Sequence, residues 1–165
     1  MAKDAARALA PTVDDTYRQR SVRLEVQGES VYVPERLHFK RLDAHDRRLG
    51  GLSVAARCLI TRATDGHLTQ LALRTILAAP APWVIPFVVL MAGDYVVEIV
   101  EEIRAALPTF DRDACSGFVR ENRTAVRAIR ARTVSYWNAY YRAAYPDQKD
   151  YPGSIVLTQL ELWAS

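Results

Sequence analysis

The sequence predicts a mainly α-helical fold with a small β-hairpin near its N-terminus. The first indication is that apolar residues recur every three to four positions through most of residues 44–163. The second is that proline, glycine and aspartate stand at the ends of these apolar stretches, where helices begin and end. The third is a short segment, residues 21–34, in which apolar and polar residues alternate as in a half-buried strand.

Length and composition indicate one globular domain over residues 21–165. The chain has 165 residues, of which half are hydrophobic and a quarter are charged, and this balance excludes wholesale disorder. The net charge of +3 permits a nucleic-acid partner without indicating one. Residues 1–20 are predicted to be a flexible tail, because Pro11 stops any short helix there.

The hairpin prediction rests on two alternating runs on either side of a turn. The turn lies within residues 27–30 and contains Gly28, and Pro34 ends the second strand. A lone hairpin is marginally stable in water, so we expect it to pack against the helices that follow. The apolar positions of the two strands are Val22, Leu24, Val26, Val31 and Val33.

Six helices are predicted after the hairpin. They span residues 44–63, 66–79, 83–92, 94–107, 111–145 and 154–163. Gly50 and Gly51 disfavour a helix, so the first one begins either at residue 44 or only after them. Asp65 and Asp94 are predicted N-caps, and Gly93 closes the helix before Asp94.

The last two predicted helices leave alternatives open. The helix over 111–145 either continues for roughly 50 Å, at 1.5 Å per residue, or breaks near Ser116 and Gly117. Ser154 is placed to cap a terminal helix over 154–163, although the same residues also suit a strand.

Residues 65–107, DGHLTQLALRTILAAPAPWVIPFVVLMAGDYVVEIVEEIRAAL, resemble the HEAT-repeat proteins. The segment has a DGH opening, a proline-containing second helix and a DYVVEI opening to a third. Thr69 and Gln70 occupy positions where the family usually has basic residues, and Tyr95 stands where Trp is common. The resemblance implies an antiparallel helical stack that acts as a protein-binding scaffold, without catalytic residues or cofactors.

Four arginines form the first candidate binding surface. They lie in one narrow arc of the predicted long helix and are Arg120, Arg123, Arg127 and Arg130. Guanidinium groups arranged in this way suit a phosphate backbone or an acidic protein surface. The structural alternative is that they pair with the acidic face of the preceding helix, formed by Glu98, Glu101 and Glu102, or that they are merely a solvated face.

Tyrosines at the end of the same helix form the second candidate. The predicted contact residues are Tyr136, Tyr140 and Tyr141. Tyrosine is frequent in interface hot spots, but it also completes ordinary helical cores with its hydroxyl at the rim. The predicted function is therefore a non-catalytic protein–protein interaction module, with nucleic-acid binding through 120–130 as the alternative and a metal-dependent or hydrolytic enzyme ranked last.

Titratable residues give little support for an enzyme, a metal site or a cofactor. Asp43, His45 and Asp46 do not share one helix face at their spacing. The acidic residues 98, 101 and 102 have no histidine three positions away to complete a carboxylate metal site. Cys58 and Cys115 lie far apart and are predicted to be buried, reduced thiols.

A cytoplasmic protein without a membrane partner is predicted. Residues 75–93 carry no charge and are just long enough to raise the question of a membrane span. Pro80, Pro82 and Pro86 interrupt that stretch, so a short buried helix accounts for it. The N-terminal residues lack the continuous apolar core of a signal peptide.

Overall fold

The fold is mainly helical, as the sequence predicts, with one small two-stranded antiparallel hairpin. The computed structural model describes residues 7, 9–14, 16, 20–40, 42, 45, 50–78 and 81–165. Within these residues the chain forms seven α-helices. They are α1 (Val54–Ile60), α2 (Gly66–Leu77), α3 (Ile85–Met91), α4 (Val97–Ala106), α5 (Arg112–Glu121), α6 (Arg123–Tyr136) and α7 (Pro152–Trp163). In this described part, no helix has the length and apolar character needed to cross a membrane.

The predicted hairpin over 21–34 is confirmed. Its strands are β1 (Ser21–Val26) and β2 (Glu29–Pro34). The two residues between them, Gln27 and Gly28, have φ angles of 53° and 80°. Positive φ at both central residues is the conformation that matches the twist of two antiparallel strands.

The described residues group into two compact units. The first comprises Met1–Arg23 with Tyr32–Pro80, and the second comprises Leu24–Val31 with Ala81–Ser165. The single domain predicted for 21–165 stays a prediction. Most of the tail predicted over 1–20 lies outside the described residues, but Leu9 and Thr12 are buried.

The first unit is built around α1 and α2, which pack against each other. α1 begins at Val54, after Gly50 and Gly51, because the Ser53 hydroxyl caps it by accepting a hydrogen bond from the Ala56 amide at 3.3 Å. Residues 50–53 are thus not part of the α-helix predicted over 44–63. Asp65 caps α2 as predicted, through a 3.1 Å bond from the Leu68 amide. The buried cluster of this unit is Leu9, Leu42, Ala56, Ile60, Ala63, Leu68 and Ala72.

The second unit is built around α7, which packs against α4, α5 and α6. Residues 154–163 are helical and not a strand, since they lie within α7. Val156, Leu157 and Leu160 are fully buried. The predicted cap, Ser154, lies inside the helix instead. Tyr151 holds the N-cap position ahead of Pro152.

The helices over 83–92 and 94–107 are shorter than predicted. A 3₁₀ turn (Pro82–Val84) precedes α3, because the prolines remove amide donors from the first turns. Val96, and not the predicted Asp94, is the N-cap residue of α4. The buried Asp94 carboxylate instead accepts a 3.1 Å bond from the Val96 amide, which positions the chain before the helix begins.

The continuous helix predicted over 111–145 is wrong. The break lies at Asn122 (φ −120°, ψ 32°) and separates α5 from α6, whereas Gly117 remains helical inside α5. α6 then changes to a π-helical turn (Trp137–Tyr141), and residues 142–144 form a turn. The Asn122 side chain bonds the backbone of Glu25 on β1, which accounts for the position of the break.

Candidate binding surfaces

Three of the four predicted arginines are available for binding. Arg120, at the end of α5, and Arg123 and Arg127, on α6, are exposed. Within the described residues these three guanidinium groups form no hydrogen bond or ion pair. Their charges are therefore open to a partner.

Arg130 has a structural role instead. Its Nε and Nη2 atoms donate to the two carboxylate oxygens of Glu161 on α7, at 3.0 and 2.7 Å. This forked geometry is the strongest arrangement for an arginine–carboxylate pair, and it ties α6 to α7. The alternative that the arginines pair with the acidic face of α4 is wrong, since Glu101 bonds Arg104 at 2.7 Å.

Arg123 and Arg127 line a groove between α6 and the end of α7. Its volume is about 290 Å³. We call it the arginine groove, and its lining residues are Val119, Arg123, Val126, Arg127, Glu161, Ala164 and Ser165. Its valine and alanine side chains are apolar, and the Glu161 carboxylate is already neutralised by Arg130. The groove therefore offers two uncompensated positive charges beside an apolar surface.

Two of the three predicted tyrosines lie on a surface together with Tyr95. The Tyr136 ring contacts the Tyr95 ring at 6.0 Å between centroids and the Tyr140 ring at 6.3 Å. Tyr140 is 67% exposed and Tyr95 is 45% exposed. We call these three residues the tyrosine face.

Tyr141, the third predicted tyrosine, is structural. Its hydroxyl donates to the Tyr95 carbonyl at 2.6 Å and accepts from the Val97 amide at 3.3 Å. Its ring stacks on the buried Tyr151 ring at 5.4 Å. The amides in the first turn of a helix have no partner within the helix, and the N-cap residue of α4, Val96, has no side chain that could accept a hydrogen bond from them. The Tyr141 hydroxyl accepts the hydrogen bond of one of these amides, that of Val97.

The arginine groove and the tyrosine face are separate surfaces of the second unit. The arginines of α6 lie beside α7, to which Arg130 is bonded. The tyrosines lie beside the start of α4, which Tyr95 precedes. A single surface that combines arginine and tyrosine side chains along one long helix is therefore not formed.

The sequence did not identify two residues that complete these surfaces. Glu161 enters the arginine groove from a helix that follows in the chain, and no local pattern links it to Arg130. Tyr95 joins the tyrosine face across more than forty positions, as its 6.0 Å contact with Tyr136 shows. The one signal for Tyr95 was its position in the DYVVEI opening, where an aromatic residue is exposed before a helix.

No catalytic thiol or metal cluster is found in the described part of the chain. Cys58 and Cys115 are free and buried, and burial raises the pKa of both thiols to about 12. A thiol with such a pKa is a poor nucleophile near neutral pH. Three or more potential metal ligands do not come together among the described residues. Asp43 and Asp46 lie outside these residues, and His45 is exposed.

In comparisons with known proteins, no family model, no curated protein and no solved structure matches the chain.

Proposed function

We propose that the chain is a non-catalytic protein-interaction module and that the arginine groove binds an acidic segment of a partner protein. The observation that carries the proposal is that Arg123 and Arg127 are exposed, one helical turn apart, and without an ion pair among the described residues. Arginine is favoured at interfaces because its planar fork binds carboxylates through two hydrogen bonds.

The shape and chemistry of the groove favour a peptide. Next to the two guanidinium groups the groove has a small apolar lining, in which Ala164 is half-buried and Val119 and Val126 are buried. A partner segment with an aspartate or glutamate close to an apolar side chain would complement both features. Because the two valines are almost fully buried, we expect the guanidinium–carboxylate contacts to supply most of the binding free energy.

Nucleic-acid binding is the second candidate function. It is favoured by the three exposed, unpaired guanidinium groups of Arg120, Arg123 and Arg127. Three phosphate contacts with a single strand would make the logarithm of the binding constant fall with a slope of about −2.1 against the logarithm of salt concentration. The two groove arginines stand only one helical turn apart, which suits a short acidic peptide segment better than an extended sugar–phosphate backbone.

We also propose that the scaffold is related to HEAT repeats over 65–107. The support lies in the second unit, where α3 follows a proline-containing turn and packs against α4, the next helix along the chain. The central position of α7 differs from a stack in which each repeat contacts its neighbours along the chain. Any repeat-like segment therefore excludes the C-terminal helices.

An array of labelled peptides tests the proposed function directly. The probes are twelve-residue peptides that combine Glu with Leu, Ser with Leu, or Lys with Leu, together with a single-stranded oligonucleotide of equal negative charge. We expect the Glu–Leu peptides to bind, and we expect the double variant Arg123→Gln, Arg127→Gln to weaken this binding about tenfold or more. The variant Arg104→Gln, Arg142→Gln carries the same charge change elsewhere and serves as the control.

Two outcomes contradict the proposal. Tighter binding of the oligonucleotide than of every peptide, with the steep salt dependence given above, would identify a nucleic-acid-binding protein. Equal loss of peptide binding in both double variants would show that only the net charge matters.

A further inference from the structure

We infer that the tyrosine face, together with Glu98, is a second binding site that accepts an arginine side chain from a basic segment of a partner protein. This site goes beyond the arginine groove because it selects the opposite charge and uses none of the groove's residues. Its elements are exposed aromatic rings in mutual contact and an unpaired carboxylate beside them.

The rings are arranged as a surface and not as isolated side chains. The Tyr95 and Tyr136 rings meet at an interplanar angle of 64°, so they form a corner, and the Tyr140 ring continues from Tyr136 with a tilt of 30°. Tyr141 holds the Tyr95 backbone through a 2.6 Å hydrogen bond. Tyr136 and Tyr140 stand four positions apart, a spacing that places two side chains on one helix face, and Tyr140 lies in the π-helical turn (Trp137–Tyr141), a kind of turn that is frequent at functional sites.

The exposure of these rings is larger than packing requires. A tyrosine that completes a core buries its ring and leaves its hydroxyl at the rim, as Tyr141 does. Tyr140 instead leaves 67% of its surface exposed, and Tyr95 leaves 45%. Exposed aromatic side chains in contact with each other are characteristic of interface hot spots.

An exposed carboxylate stands three positions after Tyr95, whereas the nearby Arg132 guanidinium is already bonded to the Gly93 carbonyl at 3.0 Å. Glu98 lies exposed in the first turn of α4 and forms no hydrogen bond or ion pair within the described residues. Glu98 directly follows Val97, whose amide donates to the Tyr141 hydroxyl at 3.3 Å, and the same hydroxyl donates to the Tyr95 carbonyl at 2.6 Å. The first turn of a helix is a favourable position for a negative charge, and Glu98 stands there on the exposed side of α4.

Aromatic faces beside a carboxylate complement a guanidinium group. The electron-rich face of tyrosine attracts a cation, and the planar arginine head stacks on the ring while it bonds a carboxylate at its edge. The chain already uses this contact twice in its described part, with Arg142 over Trp137 at 5.5 Å and Arg112 over Trp163 at 5.7 Å. Both contacts use tryptophan rings, so neither occupies the tyrosine face.

The test compares fluorescein-labelled peptides of four Gly-Arg repeats, four Gly-Lys repeats and four Gly-Glu repeats by fluorescence anisotropy. We expect the Gly-Arg peptide to bind more tightly than the Gly-Lys peptide, because lysine lacks the planar group, and we expect the Gly-Glu peptide not to bind. Replacing Tyr140 with Leu should raise the Kd of the Gly-Arg peptide about fivefold. Tyr140→Phe keeps the aromatic face and should change that Kd less than about twofold.

Glu98→Gln tests the carboxylate separately. It should raise the Kd of the Gly-Arg peptide several-fold and reduce the salt dependence of binding. Because both positions are exposed, we expect these variants to keep the circular dichroism spectrum and the urea midpoint of the parent chain.

Three results overturn the inference. They are equal affinity for the Gly-Arg and Gly-Lys peptides, an unchanged Kd in Tyr140→Leu, or no binding of the Gly-Arg peptide at millimolar concentration. The variant Arg123→Gln, Arg127→Gln should bind the Gly-Arg peptide at least as well as the parent chain. Failure of this site is thus distinguishable from failure of the arginine groove.

Discussion

The hydroxyl groups of Tyr141 and Tyr151 lie in opposite environments although their rings stack on each other. The Tyr141 hydroxyl donates to the Tyr95 carbonyl and accepts from the Val97 amide. The Tyr151 side chain is fully buried, and its hydroxyl forms no hydrogen bond with any described residue. A buried hydroxyl without a partner destabilises the fold by about 1–3 kcal/mol.

We predict that Tyr151→Phe raises the free energy of unfolding by about 1 kcal/mol at pH 7, because it removes an unsatisfied polar group and keeps the ring. Tyr141→Phe is the matched control and should lower the same quantity by about 1 kcal/mol, since it removes two hydrogen bonds. Urea denaturation followed by circular dichroism measures both. A loss of stability in Tyr151→Phe would indicate that its hydroxyl has a partner, such as a buried water molecule.

Tyr151 and the neighbouring Tyr145 make the stability of the fold sensitive to alkaline pH. Burial raises the pKa of Tyr151 well above its ordinary value of about 10, and burial together with Glu101 also raises the pKa of Tyr145. Above pH 10 the unfolded chain therefore releases protons that the folded chain keeps, so stability is full below that pH and falls as the pH rises through it. We expect this fall to be smaller in Tyr151→Phe than in the parent chain.

At the scale of elements, the break between α5 and α6 is held by one buried side chain. The Asn122 Nδ2 group donates to the Glu25 carbonyl at 2.7 Å and to the Phe118 carbonyl at 2.8 Å. Its Oδ1 atom accepts from the Glu25 amide at 2.8 Å. The amide side chain therefore bonds β1 in the way that a neighbouring strand would, which stabilises the hairpin tip on the helices.

We predict that Asn122→Ala lowers the free energy of unfolding by about 3 kcal/mol, because the buried side chain loses three hydrogen bonds, of which one is buried and two are partly buried. The exposed Asn138 is a matched control, and Asn138→Ala should change stability by less than about 0.5 kcal/mol. Urea denaturation measures both variants. Hydrogen exchange should also show faster exchange of the Glu25 amide in Asn122→Ala, and unchanged protection of that amide would contradict the assigned role.

Elements whose determinants are local could be predicted from the sequence. The hairpin follows from alternation around Gly28, and α2 follows from the Asp65 cap together with its apolar spacing. The break at Asn122 could not be predicted, because its partner, Glu25, lies 97 positions away. Helical periodicity continues across Asn122, so the pattern alone indicated one long helix.

The candidate surfaces show the same division between local and distant determinants. The helical spacing of Arg123 and Arg127 placed them correctly on one side of α6. Whether an arginine is free or paired depends on side chains from other helices, and Glu161, the partner of Arg130, is 31 positions away. The separation of the arginine and tyrosine surfaces also depends on other helices. Arg130 of α6 is bonded to Glu161 on α7, whereas Tyr136 of α6 contacts Tyr95, which precedes α4.

At the scale of the whole molecule, each compact unit contains one buried thiol. Cys58 lies on α1 in the first unit, and Cys115 lies on α5 in the second. Both side chains are at most 1% exposed, and both thiol pKa values are raised to about 12 by burial. Because the ordinary pKa is 9.0, the reactive thiolate fraction at pH 8 is about a thousandfold smaller in the folded units.

The two thiols therefore report the opening of the two units separately. Cys115→Ala leaves Cys58 as the reporter of the first unit, and Cys58→Ala leaves Cys115 as the reporter of the second. Among the residues that the structure describes, α1 packs against α2 in the first unit, whereas α7 packs against three helices in the second. Since local stability follows the density of buried apolar contacts, we predict that Cys58 becomes reactive at a lower urea concentration than Cys115.

Labelling with a chromogenic disulfide reagent at pH 8 across a urea series measures this order. We expect both thiols to react slowly without urea, with the rise in Cys58 labelling preceding the loss of helical circular dichroism from the second unit. Full labelling in 8 M urea serves as the internal control for each variant. Coincident labelling curves would mean that the two units unfold as one cooperative domain, and the reverse order would contradict the prediction that the first unit is the less stable one.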